Sequence, residues 1–355
     1  MSFSPFEFIK KNLDKPWTWD SISSKIIWKF VKKNLELPWD WCKLSKNPNI
    51  DWDIIIEHIE LPWDWHHLSQ NPNITWQIIE ANPDRPWDWD GISQNPNITL
   101  TIVKANLDKP WNWHNLSWNE NIIWHNLESI PSVYRQQIDF WGLSWNPYLY
   151  WSIVKEYINF DWDWNGLSIN VSWDHIDEHL YQPWNWEIIS GKSEITWDII
   201  LDNPEAPWEW DGLSSNPNTT WDIVLKYINK PWNWIKISAN PNITWQIVQQ
   251  NPDMPWRWEG LSMNPNITWT IVLENLNCPW YWPSLSYYNK NITWKIVLEN
   301  PEMPWDWKLL SRRDFTNNPI KNTQTMRTRK FKEELISRTW HPNNWVIHDW
   351  LENEE

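Results

Sequence analysis

Apolar residues in this chain come in short, evenly placed groups separated by polar ones. In the block Thr75 to Pro83 the apolar positions are Trp76, Ile78 and Ile79, and in Asp88 to Pro96 they are Trp89 and Ile92. A Trp followed three positions later by an aliphatic residue marks one face of a helix. Both blocks open on Thr or Asp, whose side-chain oxygen can accept an orphan N–H of the first turn. Both end on Asn-Pro. The residue before a proline is pushed out of the helical region and proline cannot continue the ladder, so each helix stops there. The pattern predicts two-turn helices, too short to persist alone.

Counting the first Trp of each Trp-x-Trp pair gives Trp17, Trp39, Trp63, Trp87 and Trp111, a degenerate copy at Ile138, then Trp162, Trp184, Trp208, Trp232, Trp256, Trp280 and Trp305. Spacings run from 22 to 27 residues and most are 24. A period of this size is the signature of stacked repeats. The prediction is an all-α solenoid of short helix pairs, about thirteen 24-residue repeats covering 1–311. Within a unit, Trp76 and Trp89 open helices A and B while Trp87 is a wedge in the linker, and Trp245, Trp258 and Trp256 repeat those roles. Helix A carries apolar residues on two sides and is expected to be the inner, sandwiched helix. Helix B carries one stripe and is expected to face water.

One unit buries too little surface to offset its chain entropy, so neighbours must cover the Trp faces and the terminal units should be atypical. Ser4-Pro5-Phe6, with Phe where other units have Trp, reads as an N-terminal cap. The unit near 120–146 is irregular and predicts a kink or bulge. Residues 312–330 form a basic polar linker, and 331–355 a helix with a Trp box able to fold back as a C-terminal cap.

Composition narrows the function. With 41 Trp and only 6 Gly, aromatic rings must supply most of the core. The net charge of −15 disfavours nucleic acid as a partner of the solenoid. No apolar run is long enough to span a bilayer. Two distant cysteines, Cys42 and Cys278, and no secretory start lead to an expectation of a reducing, non-secreted setting. The Asn-Ile-Thr triplets at Asn73, Asn97, Asn242, Asn266 and Asn291 are then features of the repeat and not glycosylation sites.

The Asn-Pro-Asn-Ile-Thr-Trp and Asn-Pro-Asp-x-Pro-Trp-x-Trp blocks resemble the tryptophan-rich tandem-repeat proteins of giant DNA viruses of the mimivirus kind, over residues 1 to about 311. The ending from Trp340 resembles a terminal box of the same group. The resemblance implies a viral protein in host cytoplasm or in the virion, and no catalytic residues or cofactors.

His175-Ile-Asp-Glu178-His179 fits the His-x-x-Glu-His pattern of a class of zinc hydrolases. In the repeat frame, however, His175 takes a core position and no third ligand is evident, so no metal is expected. His66 and His67 read as solvated. The residue between the paired Trp is a capping Asp, Asn or Glu in most units but Arg257 and Tyr281 in two successive ones. With Trp280, Tyr287 and Tyr288 these are residue types enriched at binding hot spots and mark an expected partner site. The expected function is a non-catalytic scaffold for an unknown viral or host protein partner. The alternatives are a virion spacer and a hydrolase built on the His175 motif.

Overall fold

The computed structural model describes residues 5–124 and 127–313; the predicted linker from 314 on and the C-terminal box lie outside them, while Arg312 and Arg313, expected to open the linker, belong to the last unit, where Arg313 bonds the Ser286 and Asn289 carbonyls. The chain up to Arg313 forms one compact unit. Among the described residues are 26 helices of four to seven residues and no strand, a repeated pairing of A and B helices. No described helix is long and apolar enough to cross a membrane.

The capping prediction holds in most units. Thr75, Thr99, Thr196, Thr244, Thr268 and Thr293 accept the N–H three residues on, at 3.3–3.4 Å, at the start of A helices. Asp40, Asp64, Asp88, Asn112, Asn185, Asn233 and Asp306 cap B helices. Arg257 and Tyr281 have no capping bond. After Tyr281, Pro283 stands at the second helical position, which removes one of the donors that a cap would satisfy.

The linker Trp is a wedge, and its indole N–H shows why Trp is needed there. In twelve units it donates, at 2.7–3.0 Å, to the carbonyl five residues earlier, at the end of the preceding A helix. Each junction also repeats a second bond: the N–H of the residue after the wedge donates to a buried Ser of the previous B helix, as Asp88 does to Ser69 at 3.0 Å. The Asn ending ten of the thirteen B helices forms the third. Asn95 donates to the carbonyls of Ser69, Asn71 and Ile74 in the preceding unit at 2.8–3.2 Å. These are carbonyls that short helices leave without partners. The triplet asparagines do similar work; Asn73, for example, donates its amide to Pro48 and Ile50.

Which helix is enclosed differs from expectation. B helices of successive units pack on one another, as Trp186–Gly191 does on Trp210–Ser215, and three consecutive residues of the latter, Gly212, Leu213 and Ser214, are buried. In helix A of the same unit, Trp197–Asp202, only Ile200 is buried. Small residues allow this close approach: a Cβ on Gly212 would lie 2.2 Å from the Glu187 carbonyl oxygen. Helix B is therefore the close-packed row, because Gly and Ser decide backbone distance and the apolar count does not.

The ends also depart from expectation, because they meet. Thr18 N–H donates to Ser311 Oγ at 3.1 Å, the bond found at every other junction. Trp307 meets Trp17 edge-on at 5.6 Å, the geometry of the pairs Trp258–Trp280 and Trp282–Trp305, and Phe8 stacks on Trp307. Helix Pro5–Lys11 contacts helix Trp294–Glu299. Lys25 and Arg313 stand in the place of the ladder Asn, as Lys192 does within the array, Lys25 donating to the Arg312 carbonyl, Arg313 to those of Ser286 and Asn289, and Lys192 to that of Val171. The thirteen units thus close into a circuit, and unit one has unit thirteen as its neighbour. Phe8 and Trp17 are buried by that contact instead of by a polar cap.

Candidate functional site: an aromatic face at the irregular units

On each B helix the residue after the Trp and the one four further on share an outward face. His66 and Gln70 touch there at 2.7 Å, and in the regular units the positions are mostly polar or small, as with Asp90 and Gln94 or Asp211 and Ser215. At the irregular units the same positions hold Trp118, Trp141 and Trp145. These are the three exposed tryptophans among the described residues, at 38%, 43% and 39%.

Their orientation is fixed by neighbours. The Trp118 ring lies over Gly142, where a Cβ would come within 2.6 Å of two ring atoms. Trp118 Nε1 donates to Asp139 Oδ2 at 3.0 Å, and His114 Nδ1 lies 2.9 Å from the same oxygen. Asp139 makes no capping bond to its own helix, Phe140–Leu143; its carboxylate serves the Trp and His instead. Trp145 Nε1 donates to the buried Asp163 at 2.8 Å. The rings of Trp118 and Trp141 are 5.0 Å apart and those of Trp141 and Trp145 6.4 Å, all tilted.

A groove of about 640 Å³ leads up to Trp118, lined among others by Lys46, Gln70, Gln94, His114 and Asn115. Lys46, Gln70, Gln94 and Trp118 are equivalent residues of four successive units, so the groove runs along the array. Lys46 donates to Gln70 Oε1 at 2.7 Å, and burial pushes its ammonium below the usual lysine range. The surface thus offers flat π faces, amides and a cation, which suit stacking and hydrogen bonding.

The expected partner site is only partly a surface. Arg257 is exposed, as are Tyr281, Tyr287 and Tyr288, and the last two rings meet at 4.8 Å. Trp280 does not join them. It is buried as a wedge, bonded to the Asn275 carbonyl at 2.8 Å and packed on Trp245 and Trp258, because its register in the repeat fixes its role. Trp76, Trp87, Trp89, Trp245, Trp256 and Trp258 all pack against other indoles, as their positions predict.

His175 and His179 both lie against the Trp151 ring at 5.6 Å, and Glu178 reaches Lys155 instead of standing between them. His66 and His67 are not simply solvated: His66 pairs with Asp88 at 2.9 Å and His67 with Asp64 at 2.8 Å. The aromatic face had a signal in the sequence, since Trp118, Trp141 and Trp145 fall outside the three-Trp register of a unit. No protein-family model, curated protein or solved structure matches this chain.

Proposed function

We propose that this chain is a non-catalytic scaffold that binds a protein partner on the exposed B face at Trp118, Trp141 and Trp145. The observation carrying this reading is the contrast within one residue type. Every other described Trp is packed or half-covered, whereas these three hold their rings outward on partners supplied by Asp139, Asp163 and Gly142. Exposed, pre-oriented Trp is the commonest kind of binding hot spot, and a contiguous apolar patch on a soluble surface marks an interaction site. A net charge of −15 disfavours nucleic acid as the occupant. Tyr281, Tyr287 and Tyr288 make a second, smaller aromatic surface to which the same reading extends.

A spacer role fits less well. A spacer presents two free ends, and here both are used in the contact between Trp307 and Trp17. The viral setting, in host cytoplasm or in the particle, rests on the resemblance of the repeats and belongs to the same proposal. Quantitative affinity purification from infected cells tests it, with the wild type beside the variant Trp118→Ala, Trp141→Ala, Trp145→Ala. Proteins retained by the wild type and depleted at least about tenfold with the variant are the expected result, a loss of ~1.4 kcal/mol or more. An unchanged set of retained proteins would sink the proposal.

A further inference from the structure

Away from the aromatic face, the described residues bring together three side chains of metal-binding type, Cys42, Asp64 and His67, with ligand atoms all within 4.8 Å of one another. They come from two units. Cys42 follows Trp41 on the helix Trp41–Ser45, while Asp64 caps the next B helix, Trp65–Ser69, which carries His67. Cys42 Sγ faces Asp64 Oδ2 at 3.5 Å, and His67 Nδ1 lies 2.8 Å from Oδ1. Tetrahedral zinc, with bonds of about 2.3 Å to sulfur and about 2.0–2.2 Å to nitrogen and oxygen, places its ligand atoms roughly 3.3–3.6 Å apart. Small side-chain rotations convert one arrangement into the other. The three residues are half-buried, so a cation can reach them from solvent.

We propose that Cys42, Asp64 and His67 form a three-ligand site for a divalent transition metal of the zinc class, with a fourth position left for water. On binding, the Cys42 thiol gives up its proton as sulfur takes the metal. His67 moves its proton from Nδ1 to Nε2 and coordinates through the freed Nδ1 lone pair. Asp64 binds through Oδ2 and keeps Oδ1 on the His67 backbone N–H, its 2.8 Å capping bond. One proton is released and no electron moves. One sulfur, one imidazole and a single carboxylate favour zinc or cobalt over magnesium or calcium. At two other junctions a histidine takes the place of Cys42, His66 facing Asp88 and His114 facing Asp139, but Gly91 and Gly142 stand where this junction has His67. His67 is what completes the set here, and the bound ion would tie units two and three together.

Cobalt(II) titration of the reduced, untagged full-length chain tests this. The expected result is one cobalt per chain, with tetrahedral ligand-field bands and a thiolate-to-cobalt charge-transfer band, both erased by added zinc. Cys42→Ser should abolish the charge-transfer band and weaken binding by roughly 100-fold or more. Asp64→Asn should weaken binding comparably while leaving the metal-free unfolding midpoint in place, because Asn112, Asn185 and Asn233 already cap B helices. Cys278→Ser, which removes the other free thiol, should leave the titration unchanged. An octahedral cobalt spectrum without a thiolate band, or equal affinity in Cys42→Ser, would overturn the assignment.

Discussion

The units around Trp184 to Trp280 and those around Trp118 to Trp145 use the same outward positions of the B helices in opposite ways. In the regular stretch those positions hold no Trp and include Glu187, Asp211 and Glu259. Lys236, one residue beyond the outward position of its own helix, reaches Glu187 at 2.8 Å and also bonds Asp211, so one ammonium links three successive units. In the irregular stretch the wedge is Ile138 instead of Trp, Phe140 opens the B helix, and indoles occupy the outward positions. Where the repeat is complete, Trp is consumed by packing and the surface is left to ion pairs. Where it is broken, Trp is released to the surface and its polar edge is held by aspartates. The lesson is that departures from the repeat, and not the repeat, carry the candidate for recognition.

The sharpest way to break this comparison is to remove a packing Trp and an exposed one in parallel. Trp307→Ala takes away the ring that Trp17 and Phe8 pack on and should cost about 3–5 kcal/mol. A midpoint in urea no lower than that of Trp141→Ala would mean that the circuit is not held by this contact. Next in size is the close crossing of B helices. Gly260→Ala places a Cβ 2.2 Å from the Ile235 carbonyl oxygen and should cost roughly 1–3 kcal/mol. Gly191→Ala, whose nearest foreign atom is 3.2 Å away on the flexible Ser215 hydroxyl, should stay within about 0.5 kcal/mol in the same urea titration.

The ion-pair surface should give a smaller, pH-dependent effect. The Lys236 ammonium, followed by the Asn233 amide, lowers the Asp211 carboxyl from 3.8 to about 2. A carboxylate depressed on folding stabilises the fold above its unfolded value of 3.8, and that stability is lost as pH falls through about 2. Lys236→Met should therefore lower stability at neutral pH by at most about 1 kcal/mol, since the pair is substantially exposed, and its deficit should shrink between pH 4 and pH 2. A deficit that is constant with pH would assign the loss to packing of the lysine stem. Smallest in stability is Trp141→Ala, expected within about 0.5 kcal/mol of wild type. Its effect should instead be optical: replacing Trp118, Trp141 and Trp145 by Phe should lower the iodide-quenchable part of the fluorescence while leaving the unquenched emission in place. If quenching persists undiminished, these three rings are not open to solvent.

Much of this architecture is readable from the residues because it is local. Thr75 and Asp88 as caps, Asn82 and Asn95 as terminators and Trp87 as wedge each act within a few positions of their own place in the chain. The candidate site was less legible. Arg257, Tyr281, Tyr287 and Tyr288 stand out as exceptions to the cap and helix pattern and are exposed as expected, whereas Trp280 looked like part of that group and is core. The groups formed by Trp118 with Asp139, and by Cys42 with Asp64 and His67, join residues about one period apart. The period brings them near one another, but nothing in the sequence shows which way their side chains turn.

The sequence by itself determined the helices, their caps, their number and the need to stack, since each follows from backbone geometry and the entropy of one short unit. Only the tertiary structure decided that helix B is the close-packed row and that unit thirteen meets unit one. The spacing of B helices depends on the absence of a Cβ at Gly212 and Gly260 against a neighbouring carbonyl, a contact between units of the array and not within one. Closure depends on a small rotation at every junction summed over the whole array, which no single repeat encodes. The same summation set Lys25 and Arg313, two of the three basic residues that replace the ladder Asn, at the place where the two ends of the array are joined.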